Sequence, residues 1–225
     1  MSRPLAVFDV DGTLVDSRAT IRAAVEHGFR SIGREPPPYD RIRQIVGLSL
    51  APALAQLAPD LTPAEQALLV EGYKEHFWRL HSAPDFVEPL YPGAAETLER
   101  LRGDGWLMAV ATGKSRRGVE EVMRRHGWAD LFDSTHCADD GPGKPDPAML
   151  IEAMRTLGSP REAVIMIGDT AHDMLMAKAA GVHAQGVTWG FHTAAEVAEA
   201  GADDVAKTWA ELDAALDRFA SMLNP

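Results

Sequence analysis

Apolar residues follow two different periods along the 225-residue chain, and the change from one to the other divides it. Leu5-Ala6-Val7-Phe8 and Val10 form a continuous apolar run that predicts a buried strand over 5–10. Ile21, Val25, Phe29 and Ile32 then recur at helical spacing until Gly33 and Pro36-Pro37-Pro38 interrupt them. Helical patterns continue over about 39–46, 49–58 and 62–81, with no strand pattern between Asp16 and Glu88. In the last of these, Phe77, Trp78 and Leu80 read as packing residues. After Pro89-Leu90-Tyr91-Pro92-Gly93 the two periods alternate. Helices are predicted near 93–103, 115–126, 146–157, 171–180 (closed by Gly181) and 208–223. Strands are predicted over 106–111, 134–138, 163–167 and 183–189, and weakly near Val205.

Strands alternating with helices imply an α/β protein, a parallel sheet core with helices on both faces in a Rossmann-like arrangement. The first strand has no partner nearby in sequence, since about 70 helical residues follow it. Its simplest place is within the sheet built by the later strands. The helical block is then an insertion, giving an α/β core of 1–15 and 89–225 and a helical cap of 16–88.

Composition removes several function classes. A formal net charge of −11 argues against non-specific binding to nucleic acid or to anionic membrane surfaces. No apolar run reaches membrane-spanning length. Cys137 is the one cysteine, so there is no internal disulfide framework, and it reads as a buried structural thiol. Cleavage of an N-terminal leader would remove the first strand and Asp9, so a cytoplasmic location is expected.

The candidate chemistry lies at strand ends. Asp9 and Asp11 close the first strand, and residues two apart on an extended chain point to one side. Two buried carboxylates so placed repel, and a divalent cation with a taste for hard oxygen ligands, such as Mg²⁺, relieves that repulsion. Gly12 allows the chain to turn. Asp11-Gly12 also fits an ordinary tight turn. The second strand ends in Thr112-Gly113-Lys114-Ser115, the loop after the third reaches Gly143-Lys144-Pro145, and the fourth ends in Gly168-Asp169-Thr170-Ala171-His172-Asp173.

In an open parallel sheet these ends converge on one edge, where ligands bind. Carboxylate, hydroxyl and ammonium groups gathered there suit phosphoryl transfer: a carboxylate can attack phosphorus, and cations and hydroxyls can hold the equatorial oxygens. Each group also has a plainer role. Thr112-Gly113 could cap the next helix, Lys144 could be a solvated surface lysine, and Asp169 and Asp173 could serve a helix N-terminus. What favours the chemical reading is that all four occur in order, each after its own strand.

The string Asp9-Val10-Asp11-Gly12-Thr13-Leu14-Val15-Asp16-Ser17, with Thr112, Lys144 in Lys-Pro-x-Pro, and Gly168-Asp169…Asp173, resembles the four motifs of the haloacid dehalogenase-like hydrolase superfamily, in its phosphoglycolate phosphatase and β-phosphoglucomutase branch. The resemblance covers nearly the whole chain. It implies Asp9 as nucleophile and metal ligand, and Asp11 as general acid/base with its backbone carbonyl on the metal. It also implies Asp169 as a second ligand carboxylate, Asp173 as an orienting group of the metal site, and Thr112 and Lys144 as catalytic partners. Gly12, Thr112, Gly113 and Lys114 are expected around the phosphoryl group. His172 reads as a helix-surface residue. The helical block is similar to a mobile cap, in which Arg41, Arg43 and Val46–Leu50 are the places expected to meet the leaving group.

The resulting expectation is a Mg²⁺-dependent phosphatase acting on a small phosphorylated metabolite such as phosphoglycolate, through an aspartyl-phosphate. A β-phosphoglucomutase-like mutase and an inorganic pyrophosphatase are the alternatives. Phosphonoacetaldehyde hydrolysis needs a cap lysine, and Lys74, the one lysine of the block, lies late in it. Dehalogenation does not call for a second carboxylate at Asp11. A non-enzymatic phospho-acceptor lacks the paired Asp9–Asp11 arrangement and the cap.

Overall fold

The computed structural model describes residues 3–223. Six strands form one parallel sheet: β1 (Leu5–Phe8), β2 (Leu107–Ala111), β3 (Ser134–His136), β4 (Val164–Gly168), β5 (His183–Val187) and β6 (Asp204–Ala206). Their order is β3-β2-β1-β4-β5-β6. The expectation that the first strand enters the sheet made by the later ones holds: β1 pairs Phe8 with Val110 of β2 on one side and with Ile167 of β4 on the other.

Alternation along β1 distributes its side chains to two cores. Ala6 and Phe8 pack with Leu98 and Leu101 of α5 (Ala94–Gly103), Val119 and Val122 of α6 (Arg116–His126), and Leu212, Leu216 and Phe219 of α10 (Trp209–Leu223). Leu5 and Val7 face the opposite side, toward Leu150 of α7 (Ala148–Leu157) and Met174 and Ala177 of α8 (Ala171–Ala180). Helices thus cover both faces, which is what near-continuous apolar strands require.

Between β1 and α5 the chain is helical, as its pattern predicts: α1 (Arg18–Ser31), α2 (Tyr39–Arg43), α3 (Leu50–Leu57) and α4 (Pro63–His81). Ile21, Val25, Phe29, Ile42, Leu54 and Leu69 build a third core there, and Phe191, from the loop after β5, enters it. The chain enters and leaves this helical block side by side. Asp16 N donates to Pro89 O (2.8 Å), Tyr91 N donates to Leu14 O (3.0 Å), and Val15 bridges Leu90.

Three differences from the sequence pattern have local causes. β1 ends at Phe8 because the Val10 carbonyl turns to accept from the amides of Thr13, Leu14 and Val15. β5 stops at Val187, and the chain then leaves the sheet toward the site. The helix α9 (Ala194–Glu199) was not legible from periodicity, since its six residues bury one apolar side chain, Val197. Its signal was the capping box Thr193…Glu196.

Candidate active site

The site lies beyond the carboxyl ends of β1 and β4, where the strand order reverses direction and the connecting loops diverge. β1 delivers Asp9 and Asp11, and β4 delivers Asp169. Asp173 sits in the first turn of α8, where its Oδ2 accepts from Thr170 N (3.0 Å) and Thr170 Oγ1 (2.7 Å) in a capping box. Its other oxygen, Oδ1, accepts from Lys144 Nζ at 2.5 Å. Asp173 therefore joins helix capping to the site.

Lys144 is no surface lysine. The loop after β3 carries it past the end of β2, and its side chain is fully buried between Asp173 and Asp9. Nζ stands 2.8 Å from Asp9 Oδ1, an ion pair, and Asp9 Oδ2 has no hydrogen-bond partner among the described residues. Asp169 is anchored at both oxygens, by Thr13 Oγ1 (2.9 Å) and by the Phe191 amide (2.7 Å). Gly12 has φ +86°, and a Cβ there would run into the Asp169 carboxylate, so the turn after Asp11 needs glycine for both conformation and space.

Asp11 faces the other way. Its Oδ1 lies 2.9 Å from Lys114 Nζ, which is itself buried and stands 5.4 Å from the Phe77 ring centroid. Thr112 is buried and shares the cavity wall with Asp9, Asp11 and Lys114. It does not cap α6, because Ser115 does, accepting from the Gly118 amide (3.3 Å). Gly113 lies against the helical block: a Cβ there would come within 2.6 Å of the carbonyl oxygens of Gly47 and Leu48.

These surroundings shift the charges. Burial, reinforced by Asp173 and Asp11 and opposed by Lys144, pushes the Asp9 carboxyl up to about 7. Burial, together with Asp9 and Asp173, raises Asp169 well above the carboxylate range. Burial alone would lower Lys144, but Asp173 and Asp9 outweigh it and raise the ammonium. The same balance, through Asp11 and Glu88, raises Lys114. A dication among the carboxylates would reverse the sign of this strain.

The donor set fits such an ion. One carboxylate oxygen each from Asp9, Asp169 and Asp173 lies within 4.8 Å of the others, all three residues are buried, and Asp9 Oδ2 lacks a hydrogen-bond partner among the described residues. An all-oxygen, anionic set suits Mg²⁺ and leaves positions for water or phosphate. The Asp11 carboxylate, turned toward Lys114, is outside this cluster.

A cavity of about 350 Å³ opens from Asp9 and Asp11 into the helical block. Val46–Leu50 line it, where leaving-group contacts were expected. Two expectations need correction. Arg43 is not in the lining; its guanidinium donates to Glu196 Oε2 and Oε1 of α9 (2.8 and 3.0 Å), which draws it away from the cavity. Phe77 and Trp78 are not plain packing residues, because α4 turns them, with Tyr73 and Lys74, to the cavity. Arg41 reaches the Gln56 carbonyl (3.4 Å), and His172 Nε2 pairs with Gln44 O (3.0 Å) across to the block. Cys137 is buried, as expected.

Sequence reasoning passed over Thr13, Phe191 and Glu88. Thr13 stood inside the first motif without a role. The loop carrying Phe191 had a signal in Gly190, where a Cβ would collide with Asp169. Glu88 is buried beside Lys114 and His81, and burial raises its carboxyl less than Lys114 and His81 lower it.

A parallel α/β sheet with buried carboxylates, a buried lysine and a threonine at its switch point defines a hydrolase of the phosphoryl-transfer type. Comparisons make this specific. The family model for haloacid dehalogenase-like hydrolases matches residues 6–187, and the chain belongs to that family. It is 34% identical over 213 residues to the probable phosphatase IndB of Dickeya dadantii, covering 93% of this chain and 92% of that one. It is 31% identical over 213 residues to a phosphoglycolate phosphatase of Vibrio cholerae, covering 89% and 91%. A crystal structure of a hydrolase from Pseudomonas syringae superposes with a TM-score of 0.85 at 26% identity, over 96% of this chain and 99% of that one. The protein is a phosphatase of this family.

Proposed function

We propose that the protein hydrolyses a small phosphomonoester with Mg²⁺ as cofactor and Asp9 as nucleophile. The observation that carries this is Asp9 itself: a buried carboxylate at the cavity, paired with Lys144 at 2.8 Å, its Oδ2 without a hydrogen-bond partner among the described residues, and clustered with the carboxylates of Asp169 and Asp173. In the first half-reaction an Asp9 oxygen bonds to phosphorus while the ester P–O bond breaks. Asp11 gives the departing alkoxide its proton. In the second half-reaction Asp11 takes a proton from water, whose oxygen attacks phosphorus and releases the Asp9 carboxylate and inorganic phosphate. Lys114 holds the Asp11 carboxylate in place, and Lys144 balances charge on Asp9 and on the phosphoryl oxygens. Thr112 and the Gly113 and Lys114 amides receive the remaining oxygens. Asp9, Asp169 and Asp173 would hold the Mg²⁺, with the Asp11 carbonyl contributing; the ion supplies charge neutralisation for the transferred group.

The helical residues 16–88 act as a cap that excludes water from the reaction. No helix among the described residues is long and apolar enough to cross a membrane, and a small phosphorylated metabolite is the expected partner. Phosphoglycolate, the substrate in the names of several relatives, is the reference against which others are measured. Phosphate release from p-nitrophenyl phosphate with Mg²⁺, abolished by EDTA and restored by added Mg²⁺, tests this function. Undiminished turnover in EDTA contradicts it.

A further inference from the structure

Much of the cavity lining contributed by the helical block is apolar. Leu48 and Leu50, from the segment before and into α3, and Val70, Tyr73 and Phe77 of α4 line it, half-buried rather than buried. Leu48, Leu50, Val70 and Tyr73 also pack on the core of the helical block, so the wall is continuous with a hydrophobic cluster. Apolar surface held at the rim of such a cluster gains most from a ligand that covers it.

The charges of the lining tell against an anionic leaving group. Beyond Asp9 and Asp11, Asp139 adds a carboxylate. Two cations are present, and both have partners. Lys114 stands between Asp11 and Glu88, and Lys74, half-exposed, pairs with Glu71 at 3.0 Å. Arg43, the guanidinium nearest in sequence to the lining segment, is engaged by Glu196. A carboxylate on the leaving group would therefore exchange water for a largely apolar lining in which, among the described residues, the one buried cation, Lys114, is already paired, which is costly. The cavity also has room for a larger leaving group. A volume of about 350 Å³ corresponds to roughly a dozen waters at ~30 Å³ each, more than a phosphoryl group and a two-carbon acid displace.

We propose that the preferred ester carries a neutral, predominantly apolar leaving group, alkyl or aryl, which fills the cavity under α3 and α4, and that a carboxylate-bearing ester such as phosphoglycolate is a poor substrate. This rests on the phosphomonoesterase reading above and specifies its substrate class. Sugar phosphates and pyrophosphate, which present hydroxyls or charge to the same wall, fall on the disfavoured side.

The test is a series of unactivated esters, ethyl, butyl and hexyl phosphate, alongside phosphoglycolate, assayed with the full chain and Mg²⁺. Acetyl phosphate, small and activated, serves as the control. The n-alkyl leaving groups differ little in basicity, so the series reads burial. kcat/KM should rise by about fourfold per methylene, the factor that corresponds to ~0.8 kcal/mol for a buried CH₂, until the cavity is full. Phosphoglycolate should fall below ethyl phosphate. Val70→Asn and Leu50→Asn should flatten the rise from ethyl to hexyl phosphate; the wild-type series decides the matter even if these variants fold poorly. A flat or falling series, or phosphoglycolate as the best substrate while acetyl phosphate is turned over, overturns this inference alone. No phosphate from any ester, acetyl phosphate included, overturns the phosphomonoesterase reading with it.

Discussion

The guanidinium of Arg43 grips the Glu196 carboxylate through two hydrogen bonds, 2.8 and 3.0 Å long, and so ties the helical block to the α/β core. Arg43 Nη1 also reaches the Phe191 carbonyl (3.4 Å), and the Phe191 amide holds Asp169. The pair thus joins the block to the loop that positions the Asp169 carboxylate. Partly exposed ion pairs contribute about 0.5–1 kcal/mol, a two- to fivefold factor in an equilibrium. Arg43→Ala and Glu196→Gln should each lower kcat/KM by that factor, and the double variant should be no worse than either single one. Additive losses would show that the two residues act separately.

The same pair sets an acid dependence. The Arg43 hydrogen bonds draw the Glu196 carboxyl down to about 2. A carboxylate whose folded pKa lies below its unfolded value of about 4.3 adds stability that is complete above that value and lost as pH falls toward the folded one. The stability difference between wild type and Glu196→Gln, from urea unfolding, should be constant from pH 7 to about 5, shrink below that, and vanish near pH 2. A difference that grows on acidification contradicts the assignment.

Mg²⁺ should stabilise the folded chain, because the folded state gathers three buried carboxylates that the unfolded state disperses. At a hundredfold excess over the dissociation constant the gain is about 2.7 kcal/mol. Thermal unfolding should move upward with Mg²⁺ in wild type and hardly at all in Asp169→Asn. An equal upward shift in both would remove Asp169 from the ligand set.

Much of this architecture was legible because it rests on local periods. The apolar runs at 5–10 and 163–167 and the helical spacing of Ile21, Val25 and Phe29 correspond to β1, β4 and α1, with ends shifted by one or two residues. The convergence of Asp9, Asp11, Thr112, Lys144, Asp169 and Asp173 followed from placing each after a strand of one parallel sheet. What could not be read depends on contacts between distant segments. Nothing local to Arg43 says that its partner is Glu196, 153 residues away. Nothing in the amphipathic pattern of α4 separates Phe77 facing a cavity from Phe77 filling a core, since both are apolar positions on one face. Glu88 lay at the edge of a composition change, where a charged residue is ordinarily solvent-facing, and its buried charge is balanced by Lys114 and His81, which are distant in sequence or carried by another element.

The central claim is that the two carboxylates closing β1 divide the work, and trapping the phosphoryl group on the protein tests it most directly. Asp9→Asn and Asp11→Asn, each mixed with acetyl phosphate and Mg²⁺, are quenched in acid and weighed intact. Asp11→Asn keeps the attacking oxygen and loses general acid–base help, worth about 10²–10⁴-fold and needed least with an activated leaving group. It should form phospho-enzyme and accumulate it, because attack of water is slowed. Asp9→Asn should form none. Phosphoryl transfer to Asp9→Asn, with none to Asp11→Asn, would contradict the account and exchange the two roles.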